Sequence, residues 1–326
     1  MRADRQLLIG ATLHIITSNN KPLMNKLIAL IALLASFAAP LRAQTEQQPY
    51  FQLPIIPDSI KDFDSRLDYM VQHYWDFADM KKVFSSRSKM AEAFDTYINF
   101  MPHATASVAL ESTEKFLKSI KNPNDLLFIA ELAENKLYAD SALIPSDQLY
   151  LVFAKAVADN RSIDRNSKMR FAHQANVLSR SQRGMKAPEF QFTTPEGLKR
   201  TFVPDTTARV TILFFNDPDC TDCRLARVRL DADLHTQRLV ESGVVDIVSI
   251  TPTDATDSSW LAATASYPTT WTIGAAHEVE DIYDIRHSPT LYLIDHKGVI
   301  QLKTDNADSV LSILTAFHPR RKPKNQ

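Results

Sequence analysis

Val210-Thr211-Ile212-Leu213-Phe214-Phe215-Asn216-Asp217-Pro218-Asp219-Cys220-Thr221-Asp222-Cys223-Arg224-Leu225-Ala226 is the stretch on which the reading of this chain turns. Its apolar and β-branched opening predicts a buried strand, and Asn216 to Asp219 predict a turn. Cys220 and Cys223 follow, the only two cysteines in the chain, at the expected start of a helix. A sulfur there lies beside unpaired backbone N–H groups and the positive end of the helix dipole, which favours its thiolate. Two intervening residues let the second sulfur attack a mixed disulfide formed on the first, so the pair can cycle. A purely structural disulfide is the simpler alternative, but so short a loop removes little unfolded-state entropy. A structural zinc site needs four ligands, and the chain has no second cysteine pair, so no metal is expected.

Outward from this stretch, a helix is expected to run to about Ser242, ended by Gly243. Val244–Ile250 reads as a second buried strand, and residues 251–276 as a polar segment with Trp260, Trp271 and one helix. Ser288-Pro289 then precedes a strand at Thr290–Asp295, a turn at His296-Lys297-Gly298, a strand at Val299–Thr304 and a helix from Ala307 to Phe317. Upstream, Gly184 and Pro188 punctuate a change of texture, and β-like runs follow at Phe190–Thr193 and Thr201–Val203. Strands alternating with helices and closing in a hairpin predict a mixed sheet covered on both faces.

Before residue 183 the pattern is helical. No glycine occurs between Gly10 and Gly184. Phe63, Leu67, Met70, Val71 and Tyr74 recur at three- and four-residue spacing, and further helices fit Ser88–Met101, Ala104–Lys118, Asn124–Tyr138, Ser146–Asp159 and Asp164–Arg180. The aromatic stripe Tyr69, Tyr74, Trp75 and Phe77 is read as core rather than as a ligand groove. His73, His103 and His173 lack metal-ligand spacing. At the N-terminus, Met24-Asn25-Lys26, the apolar Leu27–Ala35 and Pro40-Leu41-Arg42-Ala43 have the order of a signal peptide, with Met24 a candidate start. The apolar run is too short for a comfortable membrane span, so none is expected after signal removal. The net charge is −1, from 37 Lys and Arg against 38 Asp and Glu, which argues against a nucleic-acid partner.

With C-x-x-C after a strand and Ser-Pro before a later one, residues 183–317 resemble the thioredoxin superfamily, and within it the secreted TlpA-like thiol–disulfide oxidoreductases. Gly184-Met185-Lys186-Ala187-Pro188-Glu189-Phe190 resembles their G-x-x-A-P-x-F start, and Asp284–Asp295 their cis-proline strand. The helical part, with Tyr69-Met70-Val71-Gln72-His73-Tyr74-Trp75-Asp76, is similar to an uncharacterised helical domain fused upstream of such folds. The resemblance implies that Cys220 is the attacking thiol and Cys223 the resolving one. It further implies that Pro289 is a cis-proline facing the disulfide and that Ser288 offers its backbone to a substrate chain.

The expected organisation is a signal-peptide region at 1–43, a mobile lead-in at 44–58, an all-α helical domain at 59–182, an α/β thioredoxin-like domain at 183–318 and a basic tail at 319–326. The expected activity is thiol–disulfide exchange in the periplasm on protein disulfides, with a redox partner in the envelope and no cofactor beyond the dithiol. Two departures from the relatives stand out. Asp219 replaces the usual Trp before the first cysteine, and Phe214 occupies the place where some members carry a buried acid. Asp217, Asp219 and Asp222 are expected to raise the thiol pKa against Arg224 and Arg227, giving a weaker or more reducing dithiol. Two alternatives remain. In a thiol peroxidase, Thr is expected where Asp217 stands; in a binding scaffold, the fold is kept and the redox role is weak. His287 is read as solvent-exposed, and Trp271 as either core or site.

Overall fold

The structure, a computed structural model, describes residues 50–204 and 207–319. The signal-peptide region, the first residues of the lead-in and the basic tail beyond Pro319 lie outside the described residues. Among the described residues seven α-helices come first: α1 (Phe63–His73), α2 (Met80–Val83), α3 (Arg87–Phe100), α4 (Ala106–Ser119), α5 (Pro123–Leu137), α6 (Asp147–Ala158) and α7 (Arg165–Ser181). Their starts are written in the sequence. Asp62 accepts the Ser65 N–H, Asn122 precedes Pro123 at the first position of α5, and Asp164 accepts two amides of α7. They enclose one core in which Tyr74, Tyr97, Phe116, Phe153 and Phe171 are buried. The Tyr97 hydroxyl meets Ser112 Oγ at 2.8 Å, and burial pushes its pKa up to about 12. Trp75 stacks on Phe116 at 4.4 Å, whereas Phe77, expected in the same stripe, is 57% exposed. Where the sequence predicts a mobile lead-in, the described part packs on this core, with Phe51 5.6 Å from the Tyr74 ring.

The second half is a seven-stranded sheet. Its strands are β1 (Phe190–Thr193), β2 (Lys199–Phe202), β3 (Val210–Phe215), β4 (Val245–Thr251), β5 (Thr272–Ala275), β6 (Thr290–Asp295) and β7 (Ile300–Thr304), in the order β2-β1-β5-β4-β3-β6-β7. β3, β4 and β5 run parallel, and the pairs at both ends are antiparallel. All six residues of β3 are buried because both faces are covered. Ile212 and Phe214 face a core with α8 (Thr221–Ala232), α9 (Leu234–Glu241) and α11 (Ala307–Leu314). Leu213 and Phe215 face Phe190, Phe202, Tyr283 and Tyr292. The fold is an all-α part followed by a mixed sheet flanked by helices, as the sequence predicts.

Two local expectations are corrected. The helix expected to reach Ser242 breaks at Asp233, whose carboxylate accepts the Thr236 N–H at 2.7 Å and starts α9 anew. The segment 251–276 holds α10 (Ser258–Thr264) and, beyond the one helix expected, strand β5. Gly274 makes β5 possible beside β1. A Cβ there would overlap the Phe192 ring, itself 5% exposed and closed in by neighbours. Gly274→Ala is therefore expected to cost about 1–3 kcal/mol by overpacking. Urea unfolding reads this directly, and pairing the change with Phe192→Leu should recover part of the loss.

Candidate active site

β3 delivers the chain into the cysteine turn, and a buried polar network fixes its end. Asn216 is 3% exposed, and its amide donates to Ser249 Oγ at 2.8 Å and to the Ile250 carbonyl at 3.3 Å. The Tyr267 hydroxyl donates to Asn216 Oδ1. Cys220 then caps α8, its sulfur accepting the Cys223 N–H at 3.0 Å. This places a first-turn amide of the helix at the sulfur, an arrangement that stabilises a thiolate there. Cys220 is half-buried and Cys223 is 3% exposed, with Cα atoms 5.2 Å apart and the sulfurs at disulfide distance.

Opposite the pair stands the Ser288–Pro289 peptide, which is cis. The Ser288 carbonyl lies 3.4 Å from Cys220 Sγ, and Ser288 Oγ lies 3.2 Å from Cys223 Sγ. Thus Cys220, Cys223, Ser288 and Pro289 come together from the N-terminus of α8 and the loop before β6. A groove of about 600 Å³ runs beside them, lined by Ser288, Pro289, Leu225, Asp222, His287 and Asp140. Leu225 is 59% exposed on α8, giving the groove an apolar floor next to the redox pair.

The charged neighbours singled out in the sequence divide. Asp217 is occupied by the Asp219 N–H at 2.8 Å, and Arg224 holds Thr221 Oγ1 at 3.1 Å. Arg227 turns away and covers the Tyr267 ring at 4.4 Å. Asp222 faces the groove. Trp271, read as either core or site, is core: it is 8% exposed and meets Phe214 edge-on, with ring centroids 6.4 Å apart. His287 is half-exposed, with Nδ1 3.5 Å from Asp140 Oδ1. Among the described residues no group of three His, Cys, Asp or Glu side chains is placed to hold a metal ion.

Sequence reasoning missed the charged cluster behind the Ser288–Pro289 loop. Asp284 is 3% exposed and pairs with Arg286 and Lys303. Asp147, the first residue of α6, supplies the second carboxylate, with Oδ1 2.7 Å from Arg286 and Oδ2 2.8 Å from Lys303. Burial pushes the Asp147 carboxyl up, but Lys303 and Arg286 outweigh it and hold its pKa below the ordinary carboxylate range. The Arg286 guanidinium lies 3.7 Å from the centre of the Tyr138 ring. Asp284 and Arg286 were visible as charges flanking Ile285, the one available signal, but nothing in sequence pointed to their partners.

Comparison with solved structures places this fold. A thioredoxin-like protein from Bacteroides caccae matches with a TM-score of 0.69 at 21% identity, over 85% of this chain and 100% of its own. That coverage takes in the helices as well as the sheet, so the two-part fold is shared and is thioredoxin-like. Two others match a smaller share of the chain: a conserved protein of unknown function from Bacteroides fragilis, and the thioredoxin domain of a thiol-disulfide oxidoreductase from Bacteroides vulgatus. The first has 29% identity, a TM-score of 0.39 and coverage of 41% of this chain and 99% of its own. The second has 20% identity, a TM-score of 0.35 and coverage of 41% and 98%. No curated protein matches. Residues 18–181, half of the 326-residue chain, match the family described as a domain of unknown function, DUF5106, and the chain belongs to that family.

Proposed function

We propose that this protein is a thiol–disulfide oxidoreductase of the cell envelope that acts on protein disulfides through Cys220 and Cys223. The observation that carries the reading is the half-buried Cys220 sulfur. It takes the Cys223 N–H of α8 and lies 3.4 Å from the Ser288 carbonyl in the cis loop. In the reduced protein the Cys220 thiolate attacks one sulfur of a client disulfide. A Cys220–client bond forms, the client S–S bond breaks, and the second client sulfur leaves as a thiolate. Cys223 then gives up its proton and its sulfur attacks Cys220 Sγ, forming the Cys220–Cys223 disulfide and releasing the first client sulfur. Two electrons have passed to the client, and a dithiol partner must return them. Ser288 and Pro289 border the groove and offer backbone to the client chain.

The export part of the proposal rests on the charged and apolar order of Met24–Ala43. Among the described residues no helix is long and apolar enough to cross a membrane. In an oxidising compartment the pair stays reduced only if a partner supplies electrons.

The test is equilibration of the pure protein with defined glutathione or dithiothreitol buffers. The acidic surroundings of the cysteine turn lead us to expect reversible two-electron exchange with a potential at or below about −270 mV. A value near −120 mV would make the protein an oxidant instead. If the pair does not exchange at all, the redox reading falls and a binding scaffold replaces it.

A further inference from the structure

We propose that the helical part belongs to the redox site: Asp147 is a positioning residue that clamps the client-binding loop through Arg286. This rests on the thiol–disulfide reading above and assigns a task to the helices, whose role is not legible in the sequence. The segment Asp284-Ile285-Arg286-His287 is the lead-in to Ser288-Pro289 and belongs to no helix or strand. A loop of that kind has many accessible conformations, and holding one of them needs contacts from outside.

Three residues of the helical part supply those contacts. Asp147 binds Arg286 and, with its other oxygen, Lys303 on β7. Tyr138, at the end of α5, lies under the Arg286 guanidinium, and its hydroxyl donates to Asp284 Oδ1 at 3.4 Å. Ser181, the last residue of α7, accepts the Asp284 N–H at 3.2 Å. From the sheet, the Tyr292 hydroxyl donates to the Asp284 carbonyl at 2.7 Å. The loop is gripped at Asp284 and Arg286, and the next two residues after that grip are His287 and Ser288. Both Asp147 oxygens are used by cations of the sheet-bearing half rather than by the amides of α6, whose cap is Ser146. The carboxylate is therefore committed to the interface and not to its own helix. Without it, Arg286 and Lys303 would share the single Asp284 carboxylate in a buried place, and that loss falls on the loop.

The proposal separates two kinds of substrate. A protein disulfide must lie along Ser288 and Pro289, whereas a small aromatic disulfide such as dithiobis(nitrobenzoate) needs only the Cys220 sulfur. Asp147→Ala is expected to lower kcat/KM for reduced insulin formation by roughly 10- to 100-fold, mainly through KM, as a misplaced binding loop does. The rate with the small disulfide should fall far less, by no more than a few-fold, because it needs the Cys220 sulfur but no chain laid along the loop. Asp147→Asn, which keeps one acceptor oxygen and the size of the side chain, should fall between the two and guards against a fold lost in the alanine variant.

Amide hydrogen exchange provides a readout that does not depend on catalysis. In both variants exchange should quicken at Asp284–Thr290 and stay unchanged in β3 and β4. If insulin and the small disulfide lose rate to the same extent, or if exchange at Asp284–Thr290 is unaltered, the clamp is overturned. If the wild-type protein reduces neither substrate, the redox reading fails by itself, and the exchange at Asp284–Thr290 still decides the clamp.

Discussion

Cys220→Ser is expected to remove disulfide exchange altogether, lowering the rate by on the order of 10³-fold or more, since no other group can form the first bond. The structure makes this variant a clean one. Serine is among the best N-cap residues, so its Oγ can take over the Cys223 N–H and α8 should still start at Thr221. Loss of activity with an unchanged circular dichroism spectrum then reports on chemistry and not on folding. Cys223→Ser should behave differently. Cys220 is the half-buried sulfur beside the groove and remains able to attack, but the sulfur that would release the client is gone. A mixed disulfide between Cys220 and the client should accumulate and appear in the intact mass or on a non-reducing gel. Trapping by Cys220→Ser, with none by Cys223→Ser, would reverse the assignment. Trapping by neither, together with inactive wild-type protein, would leave the scaffold reading.

How far the sequence led depends on the distance over which each feature is determined. The strand Val210–Phe215 and the helix start at Cys220 are set by neighbouring residues, so these elements could be expected from short patterns, whereas the meeting of C-x-x-C with Ser288-Pro289 was implied only by the resemblance to thioredoxin-like proteins. Helix α6 was placed correctly at Ser146 for the same reason. Strand β5 was not, because four residues with a glycine carry no alternation and become a strand only by pairing with β4. The break at Asp233 was missed because one side chain, free to cap either way, divides a continuous helical pattern. The clamp was out of reach altogether. Asp147 and Arg286 are 139 residues apart, and no local rule says that a first-turn acid will serve a distant loop instead of its own helix. Phe77 shows the limit in the other direction: its spacing resembles its buried neighbours, but it lies past the end of α1, where the helical period no longer fixes which way a side chain faces.

Phe214 stands where some members of the superfamily that this sequence resembles carry a buried acid, and placing an acid there should be destructive. Phe214 is fully buried at 0% exposure, in a core with Ile212, Leu230, Leu291 and Leu293, and its ring meets Trp271 edge-on. Cutting a buried phenylalanine back to a small side chain costs about 3–5 kcal/mol through lost transfer energy and the cavity left behind. An aspartate at that position adds the burial of a carboxyl among apolar side chains, which costs further whether it ionises or takes a proton. Against a total stability of about 5–15 kcal/mol for a domain, Phe214→Asp should lose most or all of the native state. Phe214→Leu, which keeps the site apolar, should lose only a small part of it. Urea unfolding followed by tryptophan fluorescence measures both, with Trp271 reporting from the contact itself. The expected collapse would mean that this core leaves no room for the buried acid that some members of the resembled superfamily carry at that position. The Ser288 hydroxyl, 3.2 Å from the Cys223 sulfur, is a polar side chain in contact with it. A stable Phe214→Asp protein, with a carboxyl titrating well above its ordinary range, would mean instead that the core around Phe214 opens readily to water.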